Sequence, residues 1–302
     1  MDVNALWKLL WVALSGGALV TLKSAFVQGL ALTGKARASA AIAQLPGAAL
    51  LQIEIRKSWW TWFYLLGTLH NATIMLLVLF AQDNPLIQAL LHVLQSVPVE
   101  TDKEAPIQHV IGINRDVIVF LSMFTFHNAR RFMESLLITE FGDSKMHIGG
   151  FVLGCIHYLC VALAVLSDPD AAINYDDSDG SLLLRRVSIS LGTILFVVAT
   201  YHQALCNYLI ATQKRRHHNR HVIPHGDWFD YVRCPLYSTE ILLYVAFALV
   251  TGGHNSMQYF ICAWVATNQC VSAKFNSDWY DTKFRNEQKG KLSKWKLCPG
   301  VW

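Results

Sequence analysis

Seven stretches of the chain are apolar over lengths that matter to a bilayer: residues 6–32, 59–81, 113–129, 148–167, 187–212, 236–251 and 257–273. A hydrocarbon core about 30 Å thick is crossed by roughly 20 apolar residues in a helix. Unpaired backbone groups are too costly there for irregular structure. Only 15% of residues are charged, against about 25% in soluble domains, and the mean hydropathy is +0.32. The expected fold class is therefore all-α, a polytopic membrane protein of about seven transmembrane helices. A soluble protein with many buried helices is the alternative. Lys23 interrupts the first span, and the third and sixth are short. No repeat or low-complexity tract divides the chain, which reads as a single membrane domain over 1–302.

The connecting loops alternate in charge. Lys35, Arg37, Arg56 and Lys57 follow the first span; Asp83, Glu100, Asp102 and Glu104 follow the second; Arg130, Arg131 and Lys145 follow the third. Asp168, Asp170, Asp176, Asp177 and Asp179 come next, then a basic loop at 213–235 and a Lys-rich tail. Lys and Arg placement puts loops 33–58, 130–147, 213–235 and the tail in the cytosol. The N-terminal apolar run is too long for a cleavable leader and reads as the first span. Cys155, Cys160, Cys206, Cys234, Cys262, Cys270 and Cys298 form no C-x-x-C pair and mostly lie in apolar runs. They read as small buried hydrophobes rather than a disulfide framework or a zinc site. The sequon Asn71-Ala-Thr73 falls inside a span and is discounted.

Polar residues at membrane depth are costly unless they face a partner or a cavity. Gln203 and Asn207 are four apart and share a helix face, with Lys214 seven residues further on the same side and Tyr201 and His202 flanking. The stripe is either helix–helix glue or a polar site opening to the cytosol. His127, Arg130, Arg131 and Glu134 are spaced to pair along one face, although the two Arg could equally snorkel to the interface. The run Lys214 to His221 is either a lipid-facing basic cluster or a source of charge for a phosphorylated ligand. His217, His218, His221 and His225 raise an iron-dependent hydroxylase, but the remaining His are scattered singly. No metal site is expected, and neither a P-loop nor a G-x-G-x-x-G after a strand occurs.

The stretch Pro224-His-Gly-Asp-Trp-Phe-Asp-Tyr-Val232, with Pro235 and Glu240, resembles the signature of the steroid 5α-reductase family, most of all its polyprenol reductase branch. Lys57-Ser-Trp-Trp-Thr-Trp-Phe-Tyr64, His127-Asn-Ala-Arg-Arg-Phe-Met-Glu134, and Trp279-Tyr280 with Phe284 resemble three further motifs of that branch, in order. The likeness runs from 57 to about 290, so 57–302 reads as the family-like catalytic region and 1–56 as a variable N-terminal span and loop. The resemblance implies an endoplasmic reticulum membrane location, NADPH as hydride donor, and a cofactor cavity in the C-terminal half closed by cytosolic loops. It implies that Gln203, Asn207, Lys214, Asp227, Trp228, Tyr231, Glu240, Tyr280 and Lys291 line the cofactor. For the additional phosphate of NADPH, Lys214, Arg215, Arg216 and Arg233 compete. The sequence departs from the family at Leu236, at Asn276-Ser277 and at Glu287-Gln-Lys-Gly-Lys291.

An isolated alkene accepts hydride poorly, whereas an α,β-unsaturated carbonyl passes the charge to oxygen as an enolate. The aldehyde, polyprenal, is thus the favoured substrate over polyprenol. An acid at the oxygen stabilises the developing charge in a dry site. Steroid-reducing members use a Glu–Tyr pair there; here Phe63 and His127 stand at those positions. His127 is the favoured polarising group, because imidazole can donate a proton near neutral pH; Tyr64 and Tyr201 follow. The expected partners are a polyprenyl lipid and the bilayer, not nucleic acid. A trans-2-enoyl-CoA or steroid reductase of the same superfamily is the alternative within the fold, and a non-catalytic seven-span protein the alternative outside it.

Overall fold

The structure, a computed structural model, describes residues 2–32, 48–81, 83–95, 112–172, 181–218, 220–285 and 292–302. It is mostly helical, in the order α1 (Val3–Thr21), α2 (Ala25–Ala31), α3 (Ala48–Leu51), β1 (Glu54–Arg56), α4 (Trp60–Phe80), α5 (Pro85–Gln95), α6 (Arg115–Leu137), β2 (Lys145–His147), α7 (Ile148–Leu166), α8 (Ser181–Arg216), α9 (Pro235–Val250) and α10 (Ser256–Lys283). Helix α4 packs on α6 and α7, α8 on α9, α9 on α10, and α10 on α1. β1 and β2 pair antiparallel, with Ile55 opposite Met146. His147 then caps α7: its Nδ1 accepts from the Gly149 amide at 2.9 Å, offsetting one of the unpaired donors of a helix start.

Each expected span after the first falls on one helix, but among the described residues four stretches are long and apolar enough by themselves to cross a membrane: Val3–Thr21, Lys57–Phe80, Ile148–Leu166 and Leu182–Arg216. Helix α9 has 16 residues. The apolar runs of α6 and α10 continue into charged turns, at Arg130–Glu134 and Lys274–Lys283. The first expected span, 6–32, is corrected to two helices. The chain breaks at Leu22–Ser24, and the Ser24 hydroxyl caps α2 by accepting from Val27 N. The loop expected at 82–112 is corrected: it contains α5, an 11-residue apolar helix too short to count as a span. Pro85 begins that helix and the Asn84 side chain accepts from Leu86 N, a favourable helix start. Lys35, Arg37, Glu100, Asp102, Glu104, Asp176, Asp177, Asp179 and the stretch 287–291 lie outside the described residues.

One apolar core draws Trp11 from α1, Phe63 and Tyr64 from α4, Phe120 and Phe124 from α6, Tyr158 and Val161 from α7, Phe196 from α8, Tyr244 and Phe247 from α9, and Trp264 from α10. Asn71, in the discounted sequon, is fully buried and donates to the carbonyls of Gly67 and Tyr158. Close helix approach rests on small residues, the usual device where solvent supplies no drive for association. A methyl at Gly192 on α8 would lie 2.9 Å from the Ala246 carbonyl oxygen of α9. Gly192→Ala must therefore push α8 off α9. We expect a cost of about 1–3 kcal/mol from overpacking, seen as a lower melting temperature in detergent. An unchanged melting temperature would mean the two helices separate freely.

Candidate active site

Four helices, α4, α6, α8 and α9, converge on a buried ionic cluster. In α6, a rise of three or four residues returns to the same face, so His127, Arg130, Arg131 and Glu134 form one ladder. Arg130 and Arg131 both donate to the Glu134 carboxylate. Their side chains are only 11% and 15% exposed, so they turn inward instead of snorkelling. Arg130 also donates to Gln203 Oε1 on α8. Gln203 Nε2 donates to Glu240 Oε2 on α9 at 2.6 Å. Asn207, one turn along α8, donates to Glu134 Oε2 at 3.2 Å. Arg131 reaches the Tyr64 hydroxyl of α4 at 3.2 Å and lies over its ring. Two anions and two cations thus balance, which burial of charge requires.

His127 is fully buried at the centre. An Arg130 Nη2–H faces its Nδ1 at 3.2 Å. Guanidinium only donates, so Nδ1 accepts and the ring proton sits on Nε2. Nε2 lies 3.6 Å from Glu240 Oε1, beyond hydrogen-bond range, and has no hydrogen-bond partner among the described residues. An N–H donor buried without an acceptor is expensive.

The loop before α9 folds back along α8. Gly226 takes φ +90°, which favours glycine, and Asp227 follows at φ +49°. This reversal brings the Asp227 carboxylate to His202 Nδ1 at 2.9 Å and to the Cys206 thiol at 3.3 Å. Trp228 stacks on the His202 ring at 4.7 Å. At the far end of α8, Lys214 donates to the Glu140 carbonyl at 2.7 Å, and Arg215 pairs with the Glu140 carboxylate at 2.8 Å. Arg233 is held by Ser277 and Asp281. Tyr280 is buried and lines a small pocket with Pro224, Phe229, Arg233 and Ser293. Residues 292–302 brace this loop: the Arg233 and Cys234 amides donate to the Trp295 and Lys296 carbonyls.

Of the residues singled out in the sequence, His127, Tyr64, Gln203, Asn207 and Glu240 meet in the cluster. Lys214 stands further along the same helix. Asp227 and Trp228 pack on its flank. Tyr201 is 62% exposed on the outer face of α8, edge-on to His202, and does not join them. Tyr231 is 65% exposed, and Lys291 lies outside the described residues. Phe63, where steroid-reducing members carry Glu, stacks on Tyr158 at 5.6 Å. A second polar group went unread in the sequence: His157 of α7, Tyr244 of α9 and Trp264 of α10. His157 Nε2 lies 2.6 Å from the Tyr244 hydroxyl, and Trp264 Nε1 donates to His157 Nδ1 at 3.2 Å. Its one trace in the sequence is the four-residue step from Glu240 to Tyr244, which puts both on one face of α9.

Glu134 holds both arginines, so Glu134→Ala strands two buried cations. We expect destabilisation of about 3–5 kcal/mol, the usual cost of removing one partner of a buried pair. Melting temperature in detergent reads it, and a loss below about 1 kcal/mol, the scale of a surface pair, would mean that the cluster is hydrated.

The 3-oxo-5-alpha-steroid 4-dehydrogenase family profile matches residues 171–302, which contain α8, the folded-back loop, α9 and α10. Over nearly the whole chain, the protein is 27% identical to the polyprenal reductase of Mesocricetus auratus, covering 91% of this chain and 90% of that one. It is 29% identical to the polyprenal reductase of Xenopus tropicalis, covering 93% and 90%. It is 28% identical to the polyprenal reductase of Homo sapiens, covering 78% and 76%. Residues 171–302 thus match the 3-oxo-5-alpha-steroid 4-dehydrogenase family, and the chain is similar to polyprenal reductases along nearly its full length.

Proposed function

We propose that this protein is an NADPH-dependent reductase that saturates the α-isoprene double bond of polyprenal, a step toward dolichol for protein N-glycosylation, in the endoplasmic reticulum membrane. In this reading seven helices cross the bilayer and the basic end, with the loop before α9 and the C-terminus, faces the cytosol. The observation that carries the proposal is the buried Nε2–H of His127, which lacks an acceptor among the described residues.

The residues fit a dinucleotide. Gln203 and Glu240 offer an amide and a carboxylate beside the unpartnered donor. From Gln203 the same helix runs roughly 20 Å, at about 1.5 Å per residue, to the cations Lys214, Arg215 and Arg216. Arg215 and Arg233 are already paired with Glu140 and Asp281. Arg216 has no ion pair among the described residues, and we assign it to the additional phosphate. NADPH, when bound, supplies the hydride.

The chain's own groups do the rest. Arg130 fixes the tautomer of His127. His127 Nε2–H then donates to the aldehyde oxygen and stabilises the charge that develops there. Glu240 orients the imidazole and offsets charge on it. The apolar rings of Phe124 and Phe247 beside His127 keep water from the reacting carbons.

The test uses purified protein in detergent with NADPH, given polyprenal and polyprenol in parallel, with products read by mass spectrometry. Saturation of the aldehyde alone is expected. Saturation of the alcohol would break the enolate route. Turnover of neither, without NADPH binding, would remove the enzymatic reading. His127→Ala should lower kcat about 10²–10⁴-fold, the range for a positioned acid, with NADPH binding retained. Glu240→Gln should weaken NADPH binding, measured by titration.

A further inference from the structure

The reaction proposed above needs two acids. One meets the carbonyl oxygen; the other must put a proton on the α-carbon. His127 answers for the first, and nothing in the ionic cluster is committed to the second.

The second polar group lies across an aromatic wall from the first. The His127 and Tyr244 rings both lean on Phe247, with centroids 6.2 and 5.4 Å away, and on Phe124, at 6.5 Å each. Tyr244 and His157 lie in the interior, among α1, α7, α9 and α10: Tyr244 is 1% exposed, and His157 meets Trp11 edge-on at 6.0 Å. The protonation pattern follows from the donors. Indole N–H only donates, so His157 Nδ1 accepts from Trp264 and Nε2 carries the ring proton. Nε2–H must then donate to the Tyr244 oxygen at 2.6 Å. The hydroxyl proton of Tyr244 is left to point elsewhere, and no acceptor for it is found among the hydrogen bonds of the described residues. This is a neutral O–H aimed away from its own partner, with a donor already in place to stabilise the tyrosinate it would leave.

We infer that Tyr244 is the acid that protonates the α-carbon, and that His157, held by Trp264, is its positioning residue; this rests on the reductase reading. Hydride adds to the β-carbon and the C=C pair moves to form the enolate. The enolate takes the Tyr244 proton at the α-carbon as the O–H bond breaks. The tyrosinate accepts the His157 Nε2–H and regains a proton from solvent as product leaves. One hydride and one solvent proton are consumed. Tyr64 is less suited: its hydroxyl sits with Arg131 inside the ionic cluster, on the oxygen side. Tyr158 has no donor to its hydroxyl among the hydrogen bonds of the described residues to stabilise an anion.

The test uses the full chain in detergent with polyprenal and NADPH. Tyr244→Phe keeps the ring against Phe124 and Phe247 and removes only the hydroxyl. We expect kcat to fall about 10²–10⁴-fold, with NADPH affinity and the KM for polyprenal unchanged and a lower melting temperature, because the His157 Nε2–H loses its acceptor. His157 is tested as a pair of variants. Gln can accept from Trp264 and donate to Tyr244, so His157→Gln should keep most of kcat and the solvent deuterium isotope effect. His157→Leu should lose kcat. A Tyr244→Phe protein with the wild-type kcat, or one altered only in KM, would overturn the assignment. So would equal impairment of the two His157 variants, or loss of kcat in Tyr64→Phe while Tyr244→Phe remains active. If the wild-type protein leaves polyprenal untouched, the reductase reading itself falls and the assignment goes with it.

Discussion

Burial of Glu134 and Glu240 in an apolar bundle constrains the rest of the molecule. Neither carboxylate could stay charged there without a cation or donor on several sides. Arg130 and Arg131 meet Glu134 from the same helix, Asn207 reaches it from α8, and Gln203 ties Glu240 to Arg130. The ties through Asn207 and Gln203 cross helix boundaries, so the charges that are costly to bury also set where α6, α8 and α9 stand relative to one another. Packing does the same from the apolar side. Gly192 lets α8 lie against α9, and Gly67 and Gly154 let α7 lie against α4 beneath Tyr158 and Phe63.

The folded-back loop follows from the same logic. A polar loop at the end of a membrane helix would ordinarily remain in water. Here the φ values of Gly226 and Asp227 turn it back along α8, and His202, Cys206 and the Trp228 stack satisfy it there. The loop therefore seals the flank of the helix that carries Gln203 and Asn207. Residues 292–302 close over it with backbone hydrogen bonds, which are indifferent to side-chain identity.

Much of this was legible before any coordinates, for identifiable reasons. Helix period relates His127 to Glu134 and Gln203 to Asn207, so those pairs are properties of local sequence. Glu240 stood out as a charge opening an apolar run. Other features depend on tertiary contact. His157, Tyr244 and Trp264 each sit alone among hydrophobic residues on three helices, and no spacing rule connects them. Tyr201 looks like a companion of Gln203 in one dimension, yet a step of two residues turns it by about 200° on a 3.6-residue helix, out to the surface. Asp227 and Trp228 fall by sequence in the loop before α9, and the glycine that reverses the chain gives no hint that the loop runs back along α8.

The two polar clusters differ in a way that suits the two ends of an unsaturated aldehyde. Around His127 the groups are charged and mutually balanced, and a dry charged environment acts most strongly on an oxygen that gains negative charge. Around Tyr244 the groups are a neutral phenol, a neutral imidazole and an indole. Such a set cannot hold an ion pair, but it can hold one proton in one direction, because the indole settles the imidazole tautomer and the imidazole settles which way the phenol donates. Between them lie Phe124 and Phe247, which offer nothing polar to an alkene. Exchanging the clusters would put unbalanced charge beside the carbon atoms and a weak neutral donor at the oxygen. In the proposed reduction, the observed order, ionic around His127 and neutral around Tyr244, matches where charge develops on a conjugated carbonyl.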